Sequence, residues 1–432
     1  MLSRTEMDLA RRDPAIPGLA VVFDPDAFVG ELRGVLPEAD LRTAQITYLR
    51  YKPQSYCRVA YRLDVAGTAV EADVRACRPE DLADWPAAGE SSSISGPLGP
   101  GRIVLGQRAV LVTVFPNDLK LLALQPLSDL EERGRLLREL LPDHPELWSA
   151  ELRCLRYRPE RRYVAELRAT NGKRALLKSY TRRAYLRGKR NAQAFQSRGP
   201  LRVARLLGCS DQRGLLAFEW MPGGLLFDLC LAPEINYQAV SAAGAALAAL
   251  HAQQPVGLDH WTRQAEAEDL IALASEVGFI YPKLAERAEQ LARRLATELG
   301  SAPAMLAPLH GDFSAKQVLV DEEQAAIIDL DWASYGDPAD DLGNFIAQTE
   351  RCALRGELAP SRVAWIRAAL LEGYGRTSSR PVPQRLGLYT AVELFRRARF
   401  PFRTREPDSA QRTEALLERT EVLLNTLPRS PS

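Results

Sequence analysis

The stretch LHGDFSAKQVLVDEEQAAIIDLDWASYGDPADDLGNF, Leu309 to Phe345, decides how the rest of the chain is read. It opens as a loop carrying His310 and Asp312, continues as a short strand, QVLV, turns at Asp321 to Glu323, and returns as a second strand, AAIID, ending in Asp329. A hairpin of that length brings Asp312 and Asp329 to the same end of a small sheet, with Gln317 leading into the first strand. Two carboxylates and an amide oxygen converging there suit hard, oxygen-loving Mg²⁺ together with a base for an attacking hydroxyl. Any one of these aspartates alone would read as a solvated turn or a cap. The ordered set is harder to obtain by chance: H-G-D, an amide five residues after the aspartate, apolar-apolar-Asp, then G-D-P-x-x-D-L.

Upstream, the chain repeats itself. LRYKP, Leu49 to Pro53, recurs as LRYRP, Leu155 to Pro159, and the two prolines lie 106 residues apart. Both copies continue with alternating strand-like residues, Cys57 to Val65 and Tyr163 to Ala169, then a glycine turn at Gly67 or Asn171-Gly172, then another alternating run. VLVTVFPNDLKLL and LLAFEWMPGGLLF hold the same register, with Pro116 and Pro222 again 106 apart. We read a duplicated β-rich lobe. Between the copies, PLSDLEERGRLLRELLP predicts a connecting helix with Ser128 and Glu131 as a capping box and Leu130, Leu137 and Leu141 on one face. Pro86 to Gly101, rich in Ser, Gly and Pro, predicts a mobile loop. From about residue 226, helical spacing such as Val240, Ala243, Leu247 and Leu250 predicts long helices.

With these motifs in place, Leu309 to Phe345 resembles the catalytic core of the aminoglycoside phosphotransferase and choline kinase family, whose fold is similar to that of protein kinases. The resemblance implies an α+β, protein-kinase-like fold with a β-rich N-lobe over 151–225 and a mostly helical C-lobe over 226–428. An extra, degenerate N-lobe-like β domain over 1–125 and a connecting helix over 126–150 precede them. It implies an ATP- and Mg-dependent enzyme that phosphorylates a hydroxyl of a small molecule. In it Asp312 is the catalytic base, Asp329 holds Mg²⁺ against the β- and γ-phosphates, and Gln317, where the family usually has asparagine, ligates metal through its amide oxygen. Asp341 would buttress the catalytic loop and His310 would brace it by hydrogen bonds, with Asp331 and Asp337 in supporting or capping roles.

By the same resemblance Lys178, one of seven lysines in the chain, contacts the α- and β-phosphates, and the backbone of Glu219, Trp220 and Met221 is the hinge that binds adenine. The phosphate-covering loop, YRPERRY, has no glycine. Arg161 and Arg162 would reach phosphate with their side chains, or else lie solvated on an exposed turn. No Asp or Glu lies between Ser179 and Pro200, so the expected glutamate partner of Lys178 is missing, with Gln193 or Gln196 as weak substitutes. The first copy has Ala72 where Lys178 stands in the second, so it is expected to be non-catalytic: a cap, a substrate shelf or the surface of a homodimer.

Composition bounds the alternatives. Lys+Arg number 56 against 55 Asp+Glu, for a net charge of +1, so no global excess draws the chain to nucleic acid or to a membrane. No apolar run has the length of a signal peptide or a membrane span, and the expected location is cytoplasmic. Six cysteines without a C-x-x-C pair, and only four histidines, argue for reduced, mostly buried thiols and against zinc. For the acceptor, Glu266, Glu268 and Asp269 would suit a polycationic aminoglycoside. FRRARFPFRTR, Phe395 to Arg405, reads first as a solvated helix end; facing the cleft, it would suit a neutral or anionic metabolite. A metabolic hydroxyl kinase is therefore expected, with an aminoglycoside-type antibiotic kinase and a nucleotide-binding regulatory pseudokinase as alternatives. Keeping Lys178, Asp312 and Asp329 together favours an enzyme.

Overall fold

Runs rich in β-branched and aromatic residues, alternating between a buried and an open face, build two antiparallel sheets in the first part of the chain. The computed structural model describes residues 2–82, 93–234, 236–301, 305–322, 324–378 and 381–427. Three helices, α1 (Arg4–Arg12), α2 (Leu19–Phe23) and α3 (Pro25–Val35), precede β1 (Leu41–Lys52), β2 (Tyr56–Val65), β3 (Thr68–Cys77), β4 (Arg102–Leu105) and β5 (Val110–Val114). These five strands are ordered β1-β2-β3-β5-β4. After α4 (Leu124–Ser128) and α5 (Leu130–Leu140) come β6 (Glu151–Arg158), β7 (Arg162–Arg168) and β8 (Arg174–Tyr180). Helix α6 (Arg182–Ala194) and the short β9 (Leu201–Val203) lead to β10 (Leu206–Ser210) and β11 (Leu215–Glu219). The second sheet is ordered β10-β11-β8-β7-β6, which, read from β6, repeats the first sheet strand for strand.

The connecting segment differs from its sequence reading. It is two helices, and the cap of α5 is Asp129, whose carboxylate accepts the N–H groups of Glu131 and Glu132 at 3.0 and 2.8 Å. A full charge at a helix N-terminus is favoured by the helix dipole as well as by the hydrogen bonds, and Ser128 instead bonds back to Gln125. The register moves with the cap: Leu130 is 73% exposed, while Leu136, Leu137, Leu140 and Leu141 pack with Leu167, Ala175, Leu177 and Leu215 of the second sheet. In the Ser/Gly/Pro stretch, residues 86–92 lie outside the described residues, as do Glu323 and residue 428. The remainder is tied down, because Asn117 accepts the Ile94 N–H at 2.7 Å and donates to its carbonyl at 2.9 Å.

The rest of the chain is mostly helical: α7 (Leu226–Leu231), α8 (Tyr237–His251), α9 (Arg263–Ile280), α10 (Ala285–Ser301), α11 (Ala339–Leu354), α12 (Pro360–Thr377), α13 (Leu386–Arg396), α14 (Phe400–Arg403) and α15 (Ser409–Asn425). Helices α8 and α12 meet backbone to backbone. A Cβ on Gly373 would lie 1.8 Å from the carbonyl oxygen of Ser241, and one on Gly244 would lie 2.1 Å from that of Leu370, so only glycine fits either position. Two small sheets sit among the helices: β12 (Gly224–Leu225), β15 (Val318–Asp321), β16 (Gln324–Ile327) and β9 in the order β12-β15-β16-β9, and β13 (Asp259–His260), β14 (Ala307–Leu309) and β17 (Ser334–Gly336) in the order β13-β17-β14. Leu247, Leu250, Phe313, Val318, Ile327 and Phe345 share one core there.

By contacts the chain forms two compact units. One comprises Met1–Tyr185, Leu207–Ala217 and Arg403–Arg405, and the other Leu186–Leu206, Phe218–Phe402 and Glu406–Ser432. Among the described residues no helix is long and apolar enough to cross a membrane. Cys57, Cys77, Cys230 and Cys352 are buried thiols, whereas Cys154 and Cys209 are exposed.

Candidate active site

Strand pairing explains why the loops that carry Asp312 and Asp329 run side by side. β14 pairs with β17, putting Leu309 opposite Ser334, and β15 pairs with β16, putting Val318 opposite Ile327. The loop 310–317 and the loop 328–333 therefore span the same gap between the same two pairs of strands and run side by side. Two hydrogen bonds join them: Ile328 N–H to the Gln317 carbonyl at 2.9 Å, and His310 Nε2 to the Ile328 carbonyl at 2.8 Å. With Nε2 as donor, His310 Nδ1 is the acceptor for the Asp312 N–H at 3.2 Å. His310 is fully buried, and its ring bonds to both loops.

Asp341, in the first turn of α11, anchors the loop 310–317. Its Oδ2 accepts the His310 N–H at 2.7 Å and His251 Nε2 at 3.0 Å, and its Oδ1 accepts the Gly311 N–H at 2.9 Å. Burial works against charge on this group, but the hydrogen bond and charge of His251, followed by His310, outweigh it and hold the carboxyl below the usual carboxylate range. Gly311 is required twice over. Its φ is +78°, and a Cβ would come within 2.2 Å of the Trp332 carbonyl oxygen in the neighbouring loop.

Asp312 reaches solvent from this loop. The protein around it still pushes its carboxyl above the ordinary range; burial is the main cause and the charge of Asp329 adds to it, while His310 and Arg397 pull the other way. Asp329 follows β16 with a left-handed backbone, φ 66°, which aspartate tolerates better than most residues. Gln317 closes a short 3₁₀ turn immediately before β15, its N–H bonded to the Ser314 carbonyl at 2.8 Å. Asp312 and Asp329 are close enough for their charges to repel, Gln317 stands at the start of the adjoining strand, and carboxylate and amide oxygens are the donor chemistry that Mg²⁺ takes. Among the described residues, no group of three or more His, Cys, Asp or Glu side chains is arranged to hold a metal.

Sequence reasoning missed Asn191. It is fully buried on α6, and its amide donates to the carbonyls of Ala333 at 3.0 Å, Leu330 at 3.2 Å and Asp331 at 3.4 Å, fixing the loop that follows Asp329. Four residues earlier, Arg187 lies over the ring of Trp332 at 3.9 Å. Gln193 and Gln196, the candidates considered on this segment, are exposed. Asp337, two residues before α11, accepts the Ala339 N–H at 3.0 Å and pairs with Arg385.

The basic run is not solvated. Arg396 pairs with Glu266 at 3.1 Å, with Asp340 at 3.5 Å and with Glu393, and Arg397 bonds to the Glu393 carboxylate at 2.7 Å and to Asn344. Arg405 pairs with buried Glu6 at 2.8 Å. The acidic and basic tracts, read as opposing signals about the acceptor, are in part each other's counter-ions: burial forces such charges to pair. Only Glu268 and Asp269 of the acidic tract are exposed.

Glu219, the last residue of β11, and the Trp220 and Met221 that follow it lie in the same unit as Asp312. The Glu219 N–H is committed to the Arg205 carbonyl at 2.9 Å and its carboxylate accepts the Arg205 N–H at 2.8 Å. Lys178, Arg161 and Arg162 belong to the other unit. Strand register puts Val164 opposite Lys178 and Arg162 opposite both Arg158 and Tyr180, so Arg162 and Lys178 share a sheet face.

A model of the phosphotransferase enzyme family matches residues 160–389, more than half of the chain, including Lys178, Asp312, Gln317, Asp329 and Asp341. The chain belongs to this family. The fold of this phosphotransferase family member is kinase-like. Among solved structures it is similar to a choline/ethanolamine kinase family protein from Mesorhizobium loti, at 18% identity and a TM-score of 0.47 over 69% of this chain and 96% of that one. It is also similar to a macrolide 2'-phosphotransferase from Brachybacterium faecium, at 19% identity and a TM-score of 0.42 over 70% and 100% of the two chains. A thermostable aminoglycoside phosphotransferase mutant, in ternary complex with ADP and hygromycin B, is similar at 16% identity and a TM-score of 0.47 over 69% and 99%. No curated protein matches the chain.

Proposed function

We propose that this protein transfers the γ-phosphoryl group of ATP, with Mg²⁺, to a hydroxyl of a small molecule. The observation that carries the reading is the pair of adjoining loops that present Asp312 and Asp329 together, held by Asp341, His310 and Gly311. Asp312 orients the acceptor hydroxyl and takes its proton as the oxygen attacks the γ-phosphorus, and ADP leaves. The raised affinity of Asp312 for a proton suits a base that must accept one. Asp329 and the Gln317 amide would hold the metal ion, which when bound neutralises charge on the β- and γ-phosphates. Lys178 meets the α- and β-phosphates, and Arg162, on the same sheet face, adds a second cation where a glycine-rich loop would offer backbone amides. With the Glu219 N–H already used, adenine is left the Glu219 carbonyl and the Met221 N–H.

The paired state of Arg396 and Arg397 removes the ground for preferring a neutral or anionic acceptor. The proposal therefore extends to sugars, amino sugars and amino alcohols alike. An acceptor screen on the purified protein, read by ADP release from Mg-ATP, tests it. At least one hydroxyl compound should raise ADP release above the rate with water alone. Tight Mg-ATP binding with no stimulation by any acceptor would favour a nucleotide-binding regulator.

A further inference from the structure

The turn between β6 and β7, Tyr157 to Tyr163, is the segment that the proposed function sets over the nucleotide phosphates, yet it is not an exposed turn. Pro159 and Glu160 at its tip are buried, and Glu160 has a left-handed backbone, φ 50°. The Glu160 carboxylate meets Arg58, on β2 of the first sheet, at 2.7 Å and Lys120, just beyond β5, at 2.6 Å. Its N–H donates to Asp118 at 2.7 Å, and the same oxygen of Asp118 accepts the Tyr157 hydroxyl at 3.0 Å. The socket is itself braced: the other oxygen of Asp118 accepts the N–H groups of Lys120 and Leu121 at 2.8 and 3.1 Å, and Arg58 pairs with Asp73 on β3 at 3.2 Å. A left-handed backbone strains a residue that carries a Cβ, and such strain persists where the surroundings over-determine it.

The two faces of this hairpin do different things. Tyr157 and Tyr163, paired across the strands, pack against Phe115, Leu121 and Leu124 from the segment that leaves the first sheet. The register places Arg158 opposite Arg162, and Val164 opposite both Arg156 and Lys178, so four cations lie on the other face. Burial, and then the neighbouring Arg156, Arg162 and Arg161, pull Arg158 down to about 10, as expected of a guanidinium crowded by its own kind.

We propose that the first lobe is a clamp in cis. By seating Glu160 in the Arg58, Lys120 and Asp118 socket, it holds the opposite, cationic face of the β6–β7 hairpin in the geometry that receives the nucleotide phosphates. Glu160 is thus a positioning residue. The proposal rests on the reading that this unit binds Mg-ATP. It gives the non-catalytic copy a task that the glycine-free loop makes necessary: side chains must be pre-placed where backbone amides would serve without help.

The test uses the full chain with Glu160→Gln and Glu160→Ala. Amide hydrogen exchange should accelerate at Glu160 to Tyr163 in both variants, while protection on β8 and β11 stays unchanged. Mg-ATP affinity should fall roughly tenfold, the loss expected for one charge-assisted contact, while adenosine affinity, which needs no phosphate contact, should not move. Unchanged exchange, or equal loss for ATP and adenosine, overturns the clamp. If Glu160→Ala does not fold, Glu160→Gln decides the matter, since it keeps the shape and removes only the charge. If the wild-type protein binds no Mg-ATP, the phosphotransferase reading fails, and exchange at Glu160 to Tyr163 still decides whether the first lobe grips the turn.

Discussion

Replacing Asp341 by asparagine changes no volume and removes one charge, which isolates what the carboxylate does. Its two oxygens serve three buried donors, at 2.7, 2.9 and 3.0 Å. Asparagine offers one oxygen, so its NH₂ must face either the Gly311 N–H or the His310 and His251 pair. At least one buried donor then loses its acceptor, at about 1–3 kcal/mol, and the bonds that remain lose the charge-assisted share of about 1 kcal/mol each. The sum is about 3–5 kcal/mol, equivalent to a melting temperature lower by on the order of 10 °C. Because the lost bonds hold His310 and Gly311, the Asp312 carboxylate should also drift, and turnover should fall by about two orders of magnitude. Thermal denaturation followed by circular dichroism, with acceptor-dependent ADP release on the same samples, checks both. A variant that melts within about 2 °C of wild type and keeps half its turnover would refute the assignment of Asp341 as the anchor.

Gly311→Ala should cost about 1–2 kcal/mol for the positive φ alone, and the 2.2 Å approach to the Trp332 carbonyl must also open the two loops; a loss of ADP release together with a melting temperature lowered by several degrees is expected, and unchanged release would contradict the close packing. Asp73 is driven up to about 7 by burial first, and by the like charges of Glu160 and Asp118 against the pull of Arg58. The folded state therefore binds a proton more tightly than the unfolded chain, so this group's contribution to stability is greatest below its unfolded value, near 4, and declines as pH rises to 7, by up to about 4 kcal/mol. Asp73→Asn should accordingly gain in melting temperature relative to wild type between pH 5 and pH 8; a difference that does not change with pH would count against it.

What the sequence disclosed was what lies close together along it. The span from His310 to Asp341 holds two loops, a hairpin and the Asp341 anchor within one short stretch, so motif spacing alone brought these segments together. The repeat was equally legible, because residue alternation survives in both copies. Hidden were the contacts between remote segments: Asn191 reaches carbonyls 139 to 142 residues away, and Arg396 meets Glu266 across 130. A search for an acid on α6 could not find an amide whose partners are backbone. A run of arginines looks solvated until the fold supplies the carboxylates. The turn YRPERRY read as exposed because the partners of Glu160, Arg58 and Lys120, come from the other copy. At α5 the error was one residue, where Asp129 competes with Ser128 for the same cap and wins on charge.

The central claim is that Asp312 is the base of a phosphoryl transfer from ATP. Asp312→Asn, assayed side by side for Mg-ATP binding and for acceptor-dependent ADP release, tests it most directly. The account predicts nucleotide affinity within about twofold of wild type and release reduced by at least about a hundredfold. Near-normal release in this variant would contradict it.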